Sequence, residues 1–194
     1  MSIENTLQAQ KYMGFHPGAP RPKGDFYASP PVAVEKLLER EKFGTLTMEP
    51  CCGSGVVSKV LEAHGYSVIS RDLYDWGYGE PNRDFLKDDI TEVDAVITNP
   101  PFKESLAFCE KALECTKARK GKVALLCRLQ WLEGIRRKKL FESSPFKKTW
   151  VFSKRIPRMH RFGFEGEPGT TLLCFAWFVW DWTYQGEPTL GWII

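Results

Sequence analysis

Thr45 to Asp72 reads TLTMEPCCGSGVVSKVLEAHGYSVISRD. Thr45–Met48 is a short strand candidate that stops at Glu49-Pro50. Cys51–Gly55 follows, with Gly53 and Gly55 free to turn the backbone tightly. Val57, Val60, Leu61 and His64 then recur at helical spacing, which puts His64 on the buried side of a helix end, and Gly65 supplies the stop. Ser67–Ser70 is a second strand candidate, with Arg71 and Asp72 at its end. A strand, a glycine turn, a crossover helix and another strand form the repeating step of a parallel sheet.

The same alternation continues outward. Upstream, Val34, Leu37 and Leu38 share one face of a helix that starts at Pro30-Pro31. Residues 1–24 hold Pro17, Gly18, Pro20, Pro22 and Gly24 without periodicity, which predicts an irregular N-terminal arm ahead of a single domain over 25–194. Downstream, Asp75–Asp89 is turn-rich loop, Val93–Thr98 an apolar strand, and Leu106, Cys109 and Leu113 mark a helix face. Lys122–Cys127 is another strand, Leu132–Phe141 a helix, and Thr149–Ser153 and Thr171–Trp180 are closing strands. The aromatic run Phe175, Trp177, Phe178, Trp180 reads as sheet core. The resulting fold class is α/β, a mostly parallel sheet covered on both faces, whose ligands bind beyond the carboxyl ends of the strands.

Composition narrows the class. With 43% apolar and 26% charged residues in 194, the chain is globular and long enough to bury a core without disulfides. No apolar run reaches the roughly 18 residues a membrane helix needs. The first residues lack a secretory pattern, so six cysteines read as reduced thiols in a cytoplasmic protein. None of the six forms a C-x-x-C pair, so no zinc site is expected.

Three polar sites fall at predicted strand ends. The first is Glu49-Pro50-Cys51-Cys52-Gly53-Ser54-Gly55. The second is Asp72, about 20 residues further on, placed as a carboxylate that accepts ribose hydroxyls would be. The spacing G-x-G-x-x-G fails at Ser58 and no Walker lysine is present, which points away from a phosphate-bearing nucleotide. A cofactor with ribose and adenine but no phosphate fits, as S-adenosylmethionine does. Asp84 and Phe85 offer a carboxylate and a ring for adenine, although an aspartate there also suits a loop cap. The third site is Asn99-Pro100-Pro101-Phe102. Two prolines stiffen this corner, so the Asn99 amide and the Pro100 carbonyl form fixed acceptors suited to a planar amino group, with the Phe102 ring beside them.

Through these motifs the chain resembles S-adenosylmethionine-dependent amino-methyltransferases, whose Gly-rich motif is paired with [DNS]-P-P-[YF]. Within that group it resembles small adenine-N6 DNA methyltransferases of phages and prophages, through Asp25–Pro31, Glu49–Gly55, Asp72–Tyr74, Asp84–Leu86, Asn99–Phe102 and Phe175–Asp181. The resemblance implies a Rossmann-like methyltransferase fold: a mostly parallel seven-stranded sheet with an antiparallel strand at the C-terminal end. It implies Tyr27, Ser29 and Pro30 near the methionine end of the cofactor. Glu49, Cys51, Gly53 and Gly55 would line its amino-acid portion, Asp72 and Leu73 its ribose, and Asp84 and Phe85 its adenine. Asn99, Pro100, Pro101 and Phe102 would receive the target base, Asn99 also facing the donor. The same tetrapeptide serves RNA-base and protein-glutamine methyltransferases, and a catalytically silent nucleic-acid-binding protein could keep the fold.

Charge supports a polyanionic partner. Lys103–Arg161 carries 17 Lys/Arg against 5 Asp/Glu, a net of +12 inside a chain of net +3. The candidate nucleic-acid contacts are Arg136, Arg137, Lys138 and Lys139 on one helix, and Lys154, Arg155, Arg158 and Arg161 beyond it. Such enzymes usually carry a separate recognition domain; here only Gln130–Gly169 and a short tail are available for that role. DNA is the expected partner, in a bacterial or phage-infected cytoplasm and away from membranes.

Overall fold

A computed structural model describes residues 28–157 and 173–194. Residues 1–24, expected as an irregular arm, and Tyr27, Arg158 and Arg161 lie outside the described residues. One seven-stranded sheet organises the rest: β1 Leu46–Glu49, β2 Ser67–Ser70, β3 Ala95–Thr98, β4 Lys122–Arg128, β5 Phe146–Phe152, β6 Phe175–Asp181 and β7 Thr189–Ile193. Their order is β2-β1-β3-β4-β6-β5-β7. All pairings are parallel except those of β6, which runs antiparallel between β4 and β5. The expected class therefore holds, with the antiparallel strand inserted near the C-terminus and a further parallel strand after it.

Among the described residues four α-helices accompany these strands: α1 Pro31–Leu38, ahead of β1, then α2 Val56–Ala63, α3 Ser105–Lys117 and α4 Ile135–Ser143. Pro31 opens α1 where its missing N–H costs nothing. Gly55, at φ 79°, turns β1 into α2, and Gly65, at φ 85°, ends that helix. The helix expected over 132–141 is present as α4, starting three residues later, with a 3-10 turn, Leu129–Leu132, ahead of it. Gly134 separates the two at φ 122°, a region that side-chain-bearing residues avoid. His64 is exposed, its Nδ1 beside the Val60 carbonyl at 2.8 Å, because the helix has already ended there.

Strand periodicity divides the core into two layers. Val96, Val123, Leu125, Cys127, Phe178 and Trp180 face α3 and α4. Ala95, Ile97, Ala124, Leu126, Trp177 and Val179 face α1 and α2. Every residue of Phe175–Asp181 is buried, so the aromatic run is sheet core, and Trp177 donates to the Ala33 carbonyl at 2.8 Å to tie α1 down. Among the described residues no helix is long and apolar enough to cross a membrane.

A charged cluster closes the amino ends of the parallel strands. Glu41 is 4% exposed; it accepts from Lys147 Nζ at 3.0 Å and Trp150 Nε1 at 3.0 Å. Asp181 pairs with Lys122 at 3.2 Å and Lys147 at 3.4 Å. Replacing Glu41 by Ala strips the half-buried lysines of a partner and leaves the indole N–H unbonded. Urea denaturation of Glu41→Ala is expected to show a stability loss of about 2 kcal/mol. A loss indistinguishable from zero would show that the cluster contributes nothing net.

Candidate functional site

The parallel pairing of β1 with β3, Thr47 opposite Ala95 and Met48 opposite Val96, brings two distant turns together beyond their carboxyl ends. One is the Cys51–Gly55 turn and the other the Asn99–Phe102 corner. Cys51 Sγ and Thr98 Oγ1 lie 2.8 Å apart, and the thiol also donates to the Asn99 carbonyl at 3.4 Å. Burial pushes the Cys51 thiol well up, and that of Cys52 to about 12, so both stay protonated and serve as packing and hydrogen-bonding groups.

Between the turns lies a cavity of about 320 Å³, within the size range of cofactor pockets. The β1 turn contributes Glu49, Cys51, Cys52 and Ser54 to its wall. The segment after β2 contributes Asp72, Leu73, Tyr74 and Trp76, and the next loop Arg83, Asp84 and Phe85. The corner contributes all of Asn99, Pro100, Pro101 and Phe102, and Ala28 and Ser29 close the side ahead of α1. Of the cofactor set expected from sequence, Ser29, Glu49, Cys51, Asp72, Leu73, Asp84, Phe85 and Asn99 line this one cavity. Pro30, Gly53 and Gly55 do not line it. Gly53 and Gly55, with φ of 53° and 79°, shape the turn, and a Cβ on Gly55 would stand 2.4 Å from the Tyr78 ring.

Asp72 does more than face the cavity. It is 5% exposed, and its carboxylate accepts from Gly53 N and Tyr74 N, each at 2.9 Å, and from Trp76 Nε1 at 3.0 Å. A carboxylate offers about four lone-pair positions, so one acceptor position is left for a ligand hydroxyl. Asp72 thus positions the glycine turn as well as presenting an acceptor. Asp84 sits in the loop after β2. It lines the cavity, caps its turn through Leu86 N at 3.2 Å, and pairs with Lys87 at 2.8 Å, which holds its carboxyl below the usual range.

The Phe102 ring is not a bare platform. The Arg128 guanidinium carbon stands 4.4 Å from its centroid, and the Phe175 ring centre 6.5 Å away. The basic helix is also divided. Arg136, Lys138 and Lys139 are exposed, but Arg137 turns inward over the Trp131 ring at 5.7 Å and donates to the Glu133 carbonyl. Arg137 is therefore a structural cation, and exposed Lys138 pairs with Glu142 at 3.4 Å. Lys154 and Arg155 lie just beyond the carboxyl end of β5, with Arg155 donating to Cys174 Sγ at 3.0 Å. Trp76, Arg83 and Arg128 were missed from sequence. Trp76 is an indole inside a polar loop four residues after Asp72, and Arg128 is the first charge after the apolar run of β4; both were readable signals.

Comparison with solved structures follows this geometry. A type I restriction-modification methyltransferase subunit from Streptococcus thermophilus aligns at TM-score 0.59 and 17% identity, over 81% of this chain and 45% of that one. A candidate class I S-adenosylmethionine-dependent methyltransferase from Listeria monocytogenes aligns at 0.62 and 13%, over 98% and 72%. A candidate RNA methyltransferase from Pyrococcus horikoshii aligns at 0.59 and 16%, over 93% and 98%. The chain has the methyltransferase fold. It spans less than half of the Streptococcus subunit. No protein-family model matches the chain, and no curated protein matches it in sequence.

Within this methyltransferase fold, Glu49 is the most strongly shifted carboxyl group among the described residues. It is 2% exposed, and burial pushes its carboxyl up to about 8, although Oε2 accepts from Ser58 N at 2.9 Å and Ser58 Oγ at 2.5 Å. Folding therefore favours the protonated acid. Below about pH 4.5 the group is protonated whether folded or unfolded, and it imposes no penalty. From there towards pH 8 only the unfolded chain ionises, so stability falls as pH rises. Replacing Glu49 by Gln removes this dependence. Between pH 5 and 8 the wild type is expected to lose stability relative to Glu49→Gln by about 1.4 kcal/mol per pH unit in chemical denaturation. Parallel pH profiles would show that Glu49 is not held neutral.

Proposed function

We propose that this chain transfers a methyl group from S-adenosylmethionine to an exocyclic amino group, the N6 of adenine in DNA. The observation that carries the proposal is the shared cavity: the Asn99–Phe102 corner and the residues expected around the cofactor line one space. The wall chemistry fits the cofactor. Glu49, Asp72 and Asp84 supply carboxyl oxygens for a cationic ligand rich in hydroxyl and amino donors, and Leu73 and Phe85 supply apolar surface for a flat ring. When bound, S-adenosylmethionine supplies an electrophilic methyl group on a sulfonium.

The protein's own part is to hold and orient. The amino nitrogen of adenine is a poor nucleophile because its lone pair is delocalised into the ring. The Asn99 side-chain carbonyl and the Pro100 main-chain carbonyl each accept one of its N–H bonds. This draws the nitrogen towards a tetrahedral shape with its lone pair exposed. Pro100 and Pro101 keep the two acceptors fixed, so little reorganisation is needed as positive charge develops on nitrogen. Phe102 flanks the base, with Arg128 on the ring's neighbouring face. Positioning supplies much of the rate, and a duplex target must first leave its stack to enter the cavity.

Asn99→Ala is expected to lower methyl transfer to unmethylated DNA at least a hundredfold, while titration with S-adenosylhomocysteine stays within about threefold of wild type. Tritium from labelled donor should become soluble after deoxyribonuclease treatment. Activity that survives in Asn99→Ala, or label resistant to nuclease, would reject the proposal.

The exposed cations on α4 support the nucleic-acid reading. Reversing Arg136, Lys138 and Lys139 to Glu is expected to weaken binding at least tenfold at low salt and to reduce the slope of log affinity against log salt by about two to three. An unchanged slope would remove this face from the interface.

A further inference from the structure

The geometry points to Ile135 as a wedge that enters the base stack of duplex DNA when the target base leaves it. The inference rests on the reading of the chain as a DNA methyltransferase. Ile135 is 80% exposed, and Leu132, three residues earlier, is 43% exposed. Single exposed aliphatic residues are ordinary, but the place of this pair is not.

Both lie where β4 ends and α4 begins. β4 runs parallel to β3, so this junction stands at the same pole as the cavity. β5 is antiparallel to β6, as β4 is, so β5 also points towards that pole. α4 must then run away from the site, with its first residue, Ile135, nearest the site.

The junction is also braced against the catalytic corner. Trp131 Nε1 donates to Ser105 Oγ at 2.8 Å, and Ser105 Oγ donates to the Phe102 carbonyl at 3.0 Å. The Arg137 guanidinium lies on the Trp131 ring, 5.7 Å from its centre. Ile135 therefore projects from a support tied to the corner by two successive hydrogen bonds. Its β-branched side chain is stiff at χ1, which suits a wedge better than an unbranched one.

Charge identifies the partner. Exposed Arg136 follows the aliphatic tip directly, and Lys138 and Lys139 share the same helix. An apolar tip on a basic rim matches a duplex, which offers phosphates outside and stacked bases within. Extruding a base leaves a gap whose lost stacking is costly, and aliphatic wedges fill such gaps.

A duplex with one tetrahydrofuran abasic site already contains the gap, so it tests the wedge without a known recognition sequence. Fluorescence anisotropy should show wild type preferring the abasic duplex over the intact one at least fivefold. Ile135→Ser should reduce that preference below twofold, and Ile135→Leu should retain it. Thermal melting confirms that each variant is folded. No preference in wild type, or the same preference in Ile135→Ser, would overturn the inference. Methyl transfer to single-stranded DNA, measured alongside, tests the underlying reading separately. Transfer without abasic preference removes only the wedge, and abasic preference lost in Ile135→Ser without transfer removes only the enzyme.

Discussion

Two turns separated by more than forty residues share one cavity because β1 and β3 are adjacent, parallel strands. Strands that point the same way must end at the same pole, so the glycine turn after β1 and the proline corner after β3 are neighbours by topology. Cys51 Sγ and Thr98 Oγ1, 2.8 Å apart, then link the two strand ends. Asp72, at the end of β2 on the other side of β1, reaches back to Gly53 N and completes the cradle. The glycine turn, Asp72 and the proline corner all take their places from this arrangement of three parallel strand ends.

Much of that arrangement was legible in the sequence. β3 and β4 carry apolar runs cut off sharply by turn or charged residues, β1 and β2 are short segments bounded by such residues, and the intervening helices carry 3.6-residue periodicity. The C-terminal half was less legible for a physical reason. The insertion of β6 between β4 and β5 depends on long-range pairing that no local pattern encodes. β7, Thr189–Ile193, alternates exposed and buried residues around Gly191 and finds its partner β5 some forty residues back. A tail with Trp192 at 62% exposure resembles a loop until that pairing is known. The break at Gly134 shows the opposite case, in which one residue's backbone freedom ends a pattern that periodicity alone would extend.

At the site, residue types were easier to read than their partners. The acids and the corner could be found because their positions follow strand ends. That Asp72 would already hold three donors, that burial would keep Glu49 protonated, and that Arg128 would cover a face of Phe102 depends on side-chain packing between elements. These contacts make the cavity stiffer and more crowded than a list of motifs suggests. They favour a ligand that replaces few existing hydrogen bonds.

The arrangement is tested most directly by the structure of the chain bound to S-adenosylhomocysteine. The product should lie between the Cys51–Gly55 turn and the Asn99–Phe102 corner, its ribose beside Asp72 and its sulfur facing Asn99. A product found at another surface, or one that fails to bind at millimolar concentration, would show that these three strand ends do not form a methyl-donor site.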